Sequence, residues 1–283
     1  MKNATRGFTL VEMLIGLVLL GIVSTTIYRV LTTNQRLSRA QTEQVSLQSS
    51  VRVGALAVAN ELREIGINAS GGTDIIAMGA NGITYRAMRS SGMACAVTLT
   101  QVTIRNTANT FFSTRNIVAG QDALLLYVEA DSTISTDDTW AILPILNVGT
   151  STCGGAAAIT LTTAVPAGTL ANIKLDAPVR TFEIMELGVT AVGGQNWLGV
   201  RSVSGGTAMQ PALGPIAANG LDLEYYTTAG GNTVTTNPAL VQSIRINIRG
   251  VTDRTVRAAG QDPLALDTDS LAMRITLRNA PHP

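Results

Sequence analysis

Between Phe8 and Val23 a run of apolar side chains is interrupted only by Thr9, Glu12, Gly16 and Gly21. The run softens through "STTIY" to Arg29, but helical spacing continues beyond it. From Val30 to Gly66 there is no Pro, and the one Gly before the end is Gly54. Val51, Ala55, Val58, Leu62 and Ile65 recur at spacings of four and three, which lines one face of a helix. Gly66 and the following "ASGG" read as its stop. The pattern predicts one helix from Phe8 to about Ile65, on the order of 87 Å long at 1.5 Å per residue. Its first third is apolar on all sides and its last third carries a single stripe. Such a helix is not stable alone in water. The first third calls for lipid or other identical helices, and the stripe for a globular body.

From about residue 70 the period changes from helical to alternating. "SIRINIRG" sets Ile244, Ile246 and Ile248 against Arg245, Asn247 and Arg249. "AMRITLRN" sets Met273, Ile275 and Leu277 against Arg274, Thr276 and Arg278, and "LDLEYY" alternates Leu221, Leu223 and Tyr225 with Asp222, Glu224 and Tyr226. Further predicted strands are "GITYRAM", "VTLTQVTI", "ALLLYVEA", "AITLTT", "RTFEIMEL" and "WLGVRSV", separated by turn clusters such as "GGQN", "SGG" and "TAGGNT". A strand-rich body on an amphipathic helical stripe is an α+β arrangement.

Composition agrees. Of 283 residues, 14% are charged and 46% apolar, with frequent Gly, as expected of a turn-rich β body with ample core. A net charge of +1 gives no polyanion signal. Arg245, Arg249, Arg254 and Arg257 have no interleaved aromatics for base stacking, so nucleic acid is not an expected partner. Lys2 and Arg6 precede the apolar run with no acid between them, which places the N-terminus in the cytoplasm and the remainder outside. No small-x-small cleavage site follows the run, so it does not read as an ordinary removed signal peptide. Two cysteines in an exported body, Cys95 and Cys153, predict one disulfide closing a loop of about 59 residues.

Catalytic chemistry is not expected. The single His is His282, so no Ser-His-Asp or Cys-His set forms in the body, and two Cys with one terminal His do not make a zinc site. Lys174 lacks the upstream glycines of a phosphate loop. Neither cofactor nor metal is expected. The acidic stretch with Glu129, Asp131, Asp137 and Asp138, and the pair Asp267 and Asp269, read as solvated loops, with calcium the alternative.

One residue resists the membrane reading: a carboxylate at the centre of a bilayer costs roughly 2.5–3.5 kcal/mol, yet Glu12 lies within the apolar run. Here "RGFTLVEML" resembles the cleavage and methylation motif of type IV prepilins. The resemblance implies cutting between Gly7 and Phe8 by a membrane-embedded prepilin peptidase and N-methylation of Phe8. Loss of Lys2 and Arg6 would take the formal charge from +1 to −1 before the new amine is counted. It also implies that Glu12 meets the amine of a neighbouring subunit during assembly, since two opposite charges in lipid gain from pairing. The plain alternative is an acid favoured by the helix dipole. "NELREIG", the "LEYYTTAGGNT…LVQSIRINIRG" block and "LAMRITLRN" further resemble minor pilins of the PilW type and the related type II secretion pseudopilin J.

The resemblance thus implies a leader over residues 1–7, a membrane and filament-core helix over 8–28, an amphipathic continuation over 29–66 and a β-rich domain over 67–283. The function it implies is a minor pilin that initiates or caps a type IV pilus. The alternatives are a type II secretion pseudopilin near the tip and a tip adhesin or DNA-uptake receptor. Partners would be the prepilin peptidase, other minor and major pilins and the inner-membrane assembly machinery. The place would be the inner membrane, single-pass with a periplasmic domain, then the filament.

Overall fold

In the computed structural model, which describes residues 9–66, 73–134, 137–255 and 266–278, the predicted helix is present as α1 (Leu10–Arg63), 54 residues long. It starts and stops two residues inside the expected bounds. At the far end Ile65 donates its N–H to the Leu62 carbonyl, and Gly66 does not act as a left-handed cap. Instead the Gly66 N–H donates to Asp74 Oδ2 at 2.8 Å, and the Ile65 carbonyl accepts the Arg278 N–H at 3.1 Å. The chain leaving the helix is held by a carboxylate and by the end of the last strand. The "ASGG" expected as the stop lies outside the described residues.

Two units are distinguished. One holds the chain up to Gln48 with Thr252–Asp267, and in it Gln44 Nε2 donates to Asp267 Oδ2 at 2.9 Å. The other holds Ser49–Val251 and Thr268–Pro283. In this second unit the stripe is buried as its spacing predicts: Val51, Ala55, Val58, Leu62 and Ile65 are all nearly inaccessible. Gly54 lies against the sheet, where a Cβ would overlap the Leu213 side chain, so the absence of a side chain sets the closeness of approach.

The sheet of the second unit is antiparallel throughout. Its strands are β1 (Ile75–Gly79), β2 (Gly82–Val97), β3 (Gln101–Arg105), β4 (Phe112–Ser113), β5 (Asp122–Val128), β6 (Thr139–Pro144), β7 (Asn147–Cys153) and β8 (Ala156–Thr162). After a short helix, α2 (Ala167–Leu170), come β9 (Ala177–Val192), β10 (Gln195–Ser202), β11 (Gln210–Tyr226), β12 (Ser243–Val251) and β13 (Thr268–Thr276). The main path runs β13-β12-β11-β10-β9-β2-β3-β8-β7, with β1 and β4 beside β2 and the β5–β6 hairpin beside β9. Gly193 and Gly194 form the two-residue turn from β9 to β10, with φ of 62° and 82°, the pair of left-handed positions that a type I′ hairpin turn requires. Ile244, Ile246 and Ile248 are fully buried, as their alternation predicts.

Two sequence expectations differ. "VTLTQVTI" is not one strand but the β2–β3 turn region. The Thr98 hydroxyl accepts the N–H groups of Thr100 and Gln101, so a β-branched run becomes a turn through its own side chain. Tyr226, expected on the outer face, is buried: the Arg274 guanidinium covers its ring at 4.0 Å and its hydroxyl donates to Glu224 at 2.6 Å. Cys95 and Cys153 form a disulfide between β2 and β7, with Cα atoms 6.3 Å apart. Nearby, Val102, Ile104, Leu124, Leu126, Leu143, Ile145 and Leu161 belong to one core cluster.

At β9 the sheet forks. One edge pairs with β2 along twelve residue pairs, while the other is shared between β5 around Glu183 and β10 from Met185 onward. The register sets two carboxylates, Asp122 and Glu183, directly opposite each other, an arrangement that repels unless neutralised. Arg115 neutralises both: its Nη1 and Nη2 donate to Asp122 at 2.8 and 2.6 Å, and Nη2 also donates to Glu183 at 2.8 Å. Arg89 Nε adds 2.8 Å to the same Glu183 oxygen, Gln121 Nε2 donates to the other, and the Val118 N–H caps Asp122. Asp122 and Glu183 are each only 3% exposed. Burial alone would raise the Glu183 carboxyl, but hydrogen bonds from Ser202, Arg115, Gln121 and Arg89 pull it down to about 2. Hydrogen bonding to Asp122 holds Arg115 above its ordinary value.

A carboxyl lowered on folding stabilises the protein above its unfolded value of about 4.5, and that contribution is lost as pH falls toward 2. The expected outcome is that Glu183→Gln destabilises the full chain at neutral pH. The gap from wild type should then narrow by roughly 3 kcal/mol between pH 5 and 2 in detergent-solubilised denaturant melts. A gap independent of pH would place the low-titrating group elsewhere.

Candidate functional site

The first turn of α1 is closed by a reciprocal pair. The Thr9 hydroxyl accepts the Glu12 N–H at 3.3 Å, and Glu12 Oε2 accepts both the Thr9 N–H and the Thr9 hydroxyl at 2.9 Å. This is a capping box: Thr at the N-cap and Glu at the third helical position each satisfy an otherwise orphaned backbone donor. Sequence reading placed Glu12 near the positive end of the helix dipole but missed the cap, although T-x-x-E before an apolar run is its signature. In lipid the cap matters more than in water, because no solvent is present to take up the free N–H groups. Gly7 and Phe8, the expected cleavage pair, lie outside the described residues.

Above the cap the helix surface is apolar except at Ser24, Thr25, Thr26 and Arg29. Every large side chain from Leu10 to Leu31 is exposed, none of the most apolar stretch is buried, and mean hydropathy there reaches 2.2. These residues span roughly 33 Å of helix, close to the ~30 Å hydrocarbon core of a bilayer. Threonine hydroxyls of the helix are spent internally: Thr25 donates to the Gly21 carbonyl, Thr26 to Ile22 and Thr32 to Tyr28. Gly16 and Gly21 have open space where a Cβ would stand, leaving two shallow notches for a close neighbour.

The remaining residues singled out in the sequence do not assemble into a second centre. Asp131 Oδ1 accepts the Thr133 N–H and hydroxyl, which lowers its carboxyl. Hydrogen bonding to Asp138 pushes the Tyr127 hydroxyl up to about 12, and its ring meets Trp140 edge-on at 5.3 Å. Among the described residues no three His, Cys, Asp or Glu side chains are grouped to hold a metal. The basic stripe is interrupted: Arg245 pairs with Glu224 at 3.0 Å, Arg249 and Arg254 are exposed, and Arg257 lies outside the described residues, as does His282. Asp269 caps the Ser270 N–H.

The prokaryotic N-terminal methylation motif family matches residues 2–28. Neither the curated proteins nor the solved structures compared with this chain give a match. The matched segment is the one that carries the cap and the exposed apolar helix. The prepilin-type methylation motif supports a pilin- or pseudopilin-like protein processed by prepilin peptidase, and the apolar helix followed by an antiparallel sheet domain is consistent with an α+β pilin-like fold anchored in the inner membrane.

Removing the cap should loosen only the first turn. Thr9→Ala is expected to speed hydrogen exchange of the first-turn amides roughly fivefold, the equivalent of about 1 kcal/mol for a lost N-cap, with the sheet amides unchanged. Equal exchange in both proteins would show that the cap does not hold the helix start.

Proposed function

We propose that this chain is a minor pilin that takes part in initiating or capping a type IV pilus. In this reading prepilin peptidase cuts between Gly7 and Phe8 and the new amine of Phe8 is methylated. The mature subunit waits in the inner membrane with its sheet domain in the periplasm. It is then extracted as residues 8–28 exchange lipid for the helices of neighbouring pilins. The observation that carries the reading is a bilayer-length helix, exposed on every side, with a single carboxylate four residues after Phe8, the proposed new N-terminus. The size of the sheet domain and the PilW-type patterning of β11 to β13 favour a minor over a major subunit.

Glu12 has two roles in this account, and they are separable. As a hydrogen-bond acceptor it closes the helix; as a charge it meets the Phe8 amine of an adjacent subunit and fixes axial register. Glu12→Gln keeps an acceptor at the capping position but removes the charge. It is expected to leave cleavage and first-turn protection intact while incorporation into filaments falls sharply. Normal incorporation would assign Glu12 to the cap alone.

Deletion of the gene distinguishes the filament. Sheared surface pili are expected to be lost while secreted hydrolases stay at wild-type level. Normal pili with blocked secretion would instead assign the chain to a type II secretion pseudopilus, and normal pili with lost attachment or uptake to a tip receptor.

A further inference from the structure

A cavity of about 570 Å³ opens beside the fork in the sheet, outside the helix and its cap. Its walls are Ser90 and Ser91 of β2, Phe112 and Ser113 of β4, Arg180 of β9 and Arg278 after β13. The register explains the grouping: Ser91 pairs with Phe112 on one side and with Arg180 on the other, so β4 and β9 face each other across β2.

The charges here do not close among themselves. Arg89, at the cavity wall, is spent on Glu183. Asp74 accepts the Gly66 N–H at 2.8 Å, faces Arg86 at 3.8 Å and also acts on Arg278 and Arg180, while burial raises its carboxyl, so one carboxylate answers to three guanidiniums. Arg278 has one weak partner, the exposed Glu64 at 3.5 Å, and its buried Nη2 has no hydrogen-bond partner among the described residues. Arg180 makes no ion pair with any described carboxylate; its guanidinium rests on the Trp140 ring at 5.0 Å. Burial, and then the nearby Arg278, lower the basicity of Arg180, and Asp74, which acts on both guanidiniums, offsets this only in part. A half-buried guanidinium without an anion is costly, and one holding a planar oxyanion through paired N–H bonds is not.

We propose that this cavity binds a small ligand bearing a carboxylate or phosphate, clamped between Arg180 and Arg278. The Ser91 hydroxyl of β2 supplies a further donor, and the exposed ring of Phe112 gives an apolar wall for the rest of the molecule. The volume falls in the range of small-molecule pockets, with few polar groups converging on one end. Such binding would sit on the sheet domain whether or not the chain assembles through its helix.

The test uses the full chain in detergent micelles at constant ionic strength, with chloride replaced stepwise by inorganic phosphate or by acetate. Trp140, stacked on Arg180, is the fluorescence reporter, and thermal midpoint is the second readout. The expected result is a saturable change with at least one oxyanion, accompanied by a rise in midpoint. Arg180→Gln should raise the half-saturating concentration at least tenfold, Arg180→Lys only a few-fold. Arg201→Gln, an exposed residue of β10 outside the cavity, should leave it unchanged. Saturation by phosphate alone identifies a phosphate ligand and by acetate alone a carboxylate; either carries the proposal. A response that merely follows total salt, or one that saturates equally in Arg180→Gln, overturns it.

Discussion

Fifteen large side chains between Leu10 and Leu31 face outward, and water is the one surrounding they cannot tolerate. Covering each is worth roughly 1.5–3 kcal/mol, so the set amounts to something on the order of 20–40 kcal/mol. That exceeds the 5–15 kcal/mol by which an ordinary domain is stable. Where this helix resides is therefore decided by an apolar surrounding, lipid or other helices, and not by the fold of the sheet. Against that sum a single carboxylate at roughly 3 kcal/mol is affordable. Glu12 lessens even this cost by spending its oxygen on the backbone of Thr9.

The same economy of unpaired groups recurs in the sheet. Where β9 divides its edge between β5 and β10, the Ile184 backbone would be left without partners. The Val203 N–H and the Ser204 hydroxyl take up its carbonyl and its N–H. One position away, Glu183 and Asp122 convert the fork into a fixed joint through two arginines. At the helix start a carboxylate closes the backbone, whereas at the fork a serine hydroxyl and a backbone N–H do so beside the carboxylate pair.

Much of this was readable from the chain and some was not. The helical stripe of Val51 to Ile65 and the alternating isoleucines of β12 follow from periodicity, because each element buries one face. The strand "NVGTSTC" escaped notice because β7 lies at the sheet margin and buries almost nothing, so no alternation marks it. "VTLTQVTI" misled because threonine serves both strands and turns. The Arg89–Arg115–Asp122–Glu183 cluster had no local signature: its members stand up to 94 positions apart and meet only through pairing of β9 with β2 and β5. The cap at Thr9 is the reverse case, its whole signature contained in the four residues from Thr9 to Glu12.

The link between Cys95 and Cys153 carries a geometric consequence. On the strand path β2 and β7 are separated by β3 and β8, so in a flat sheet they would stand about 14 Å apart at 4.7–4.9 Å per step. Their cysteine Cα atoms are 6.3 Å apart. This end of the sheet must therefore curl round, bringing its last strand back toward its third neighbour. A curled, stapled margin is a poor template for strand addition by another chain. Pairing with a further strand is therefore denied to this margin of the sheet.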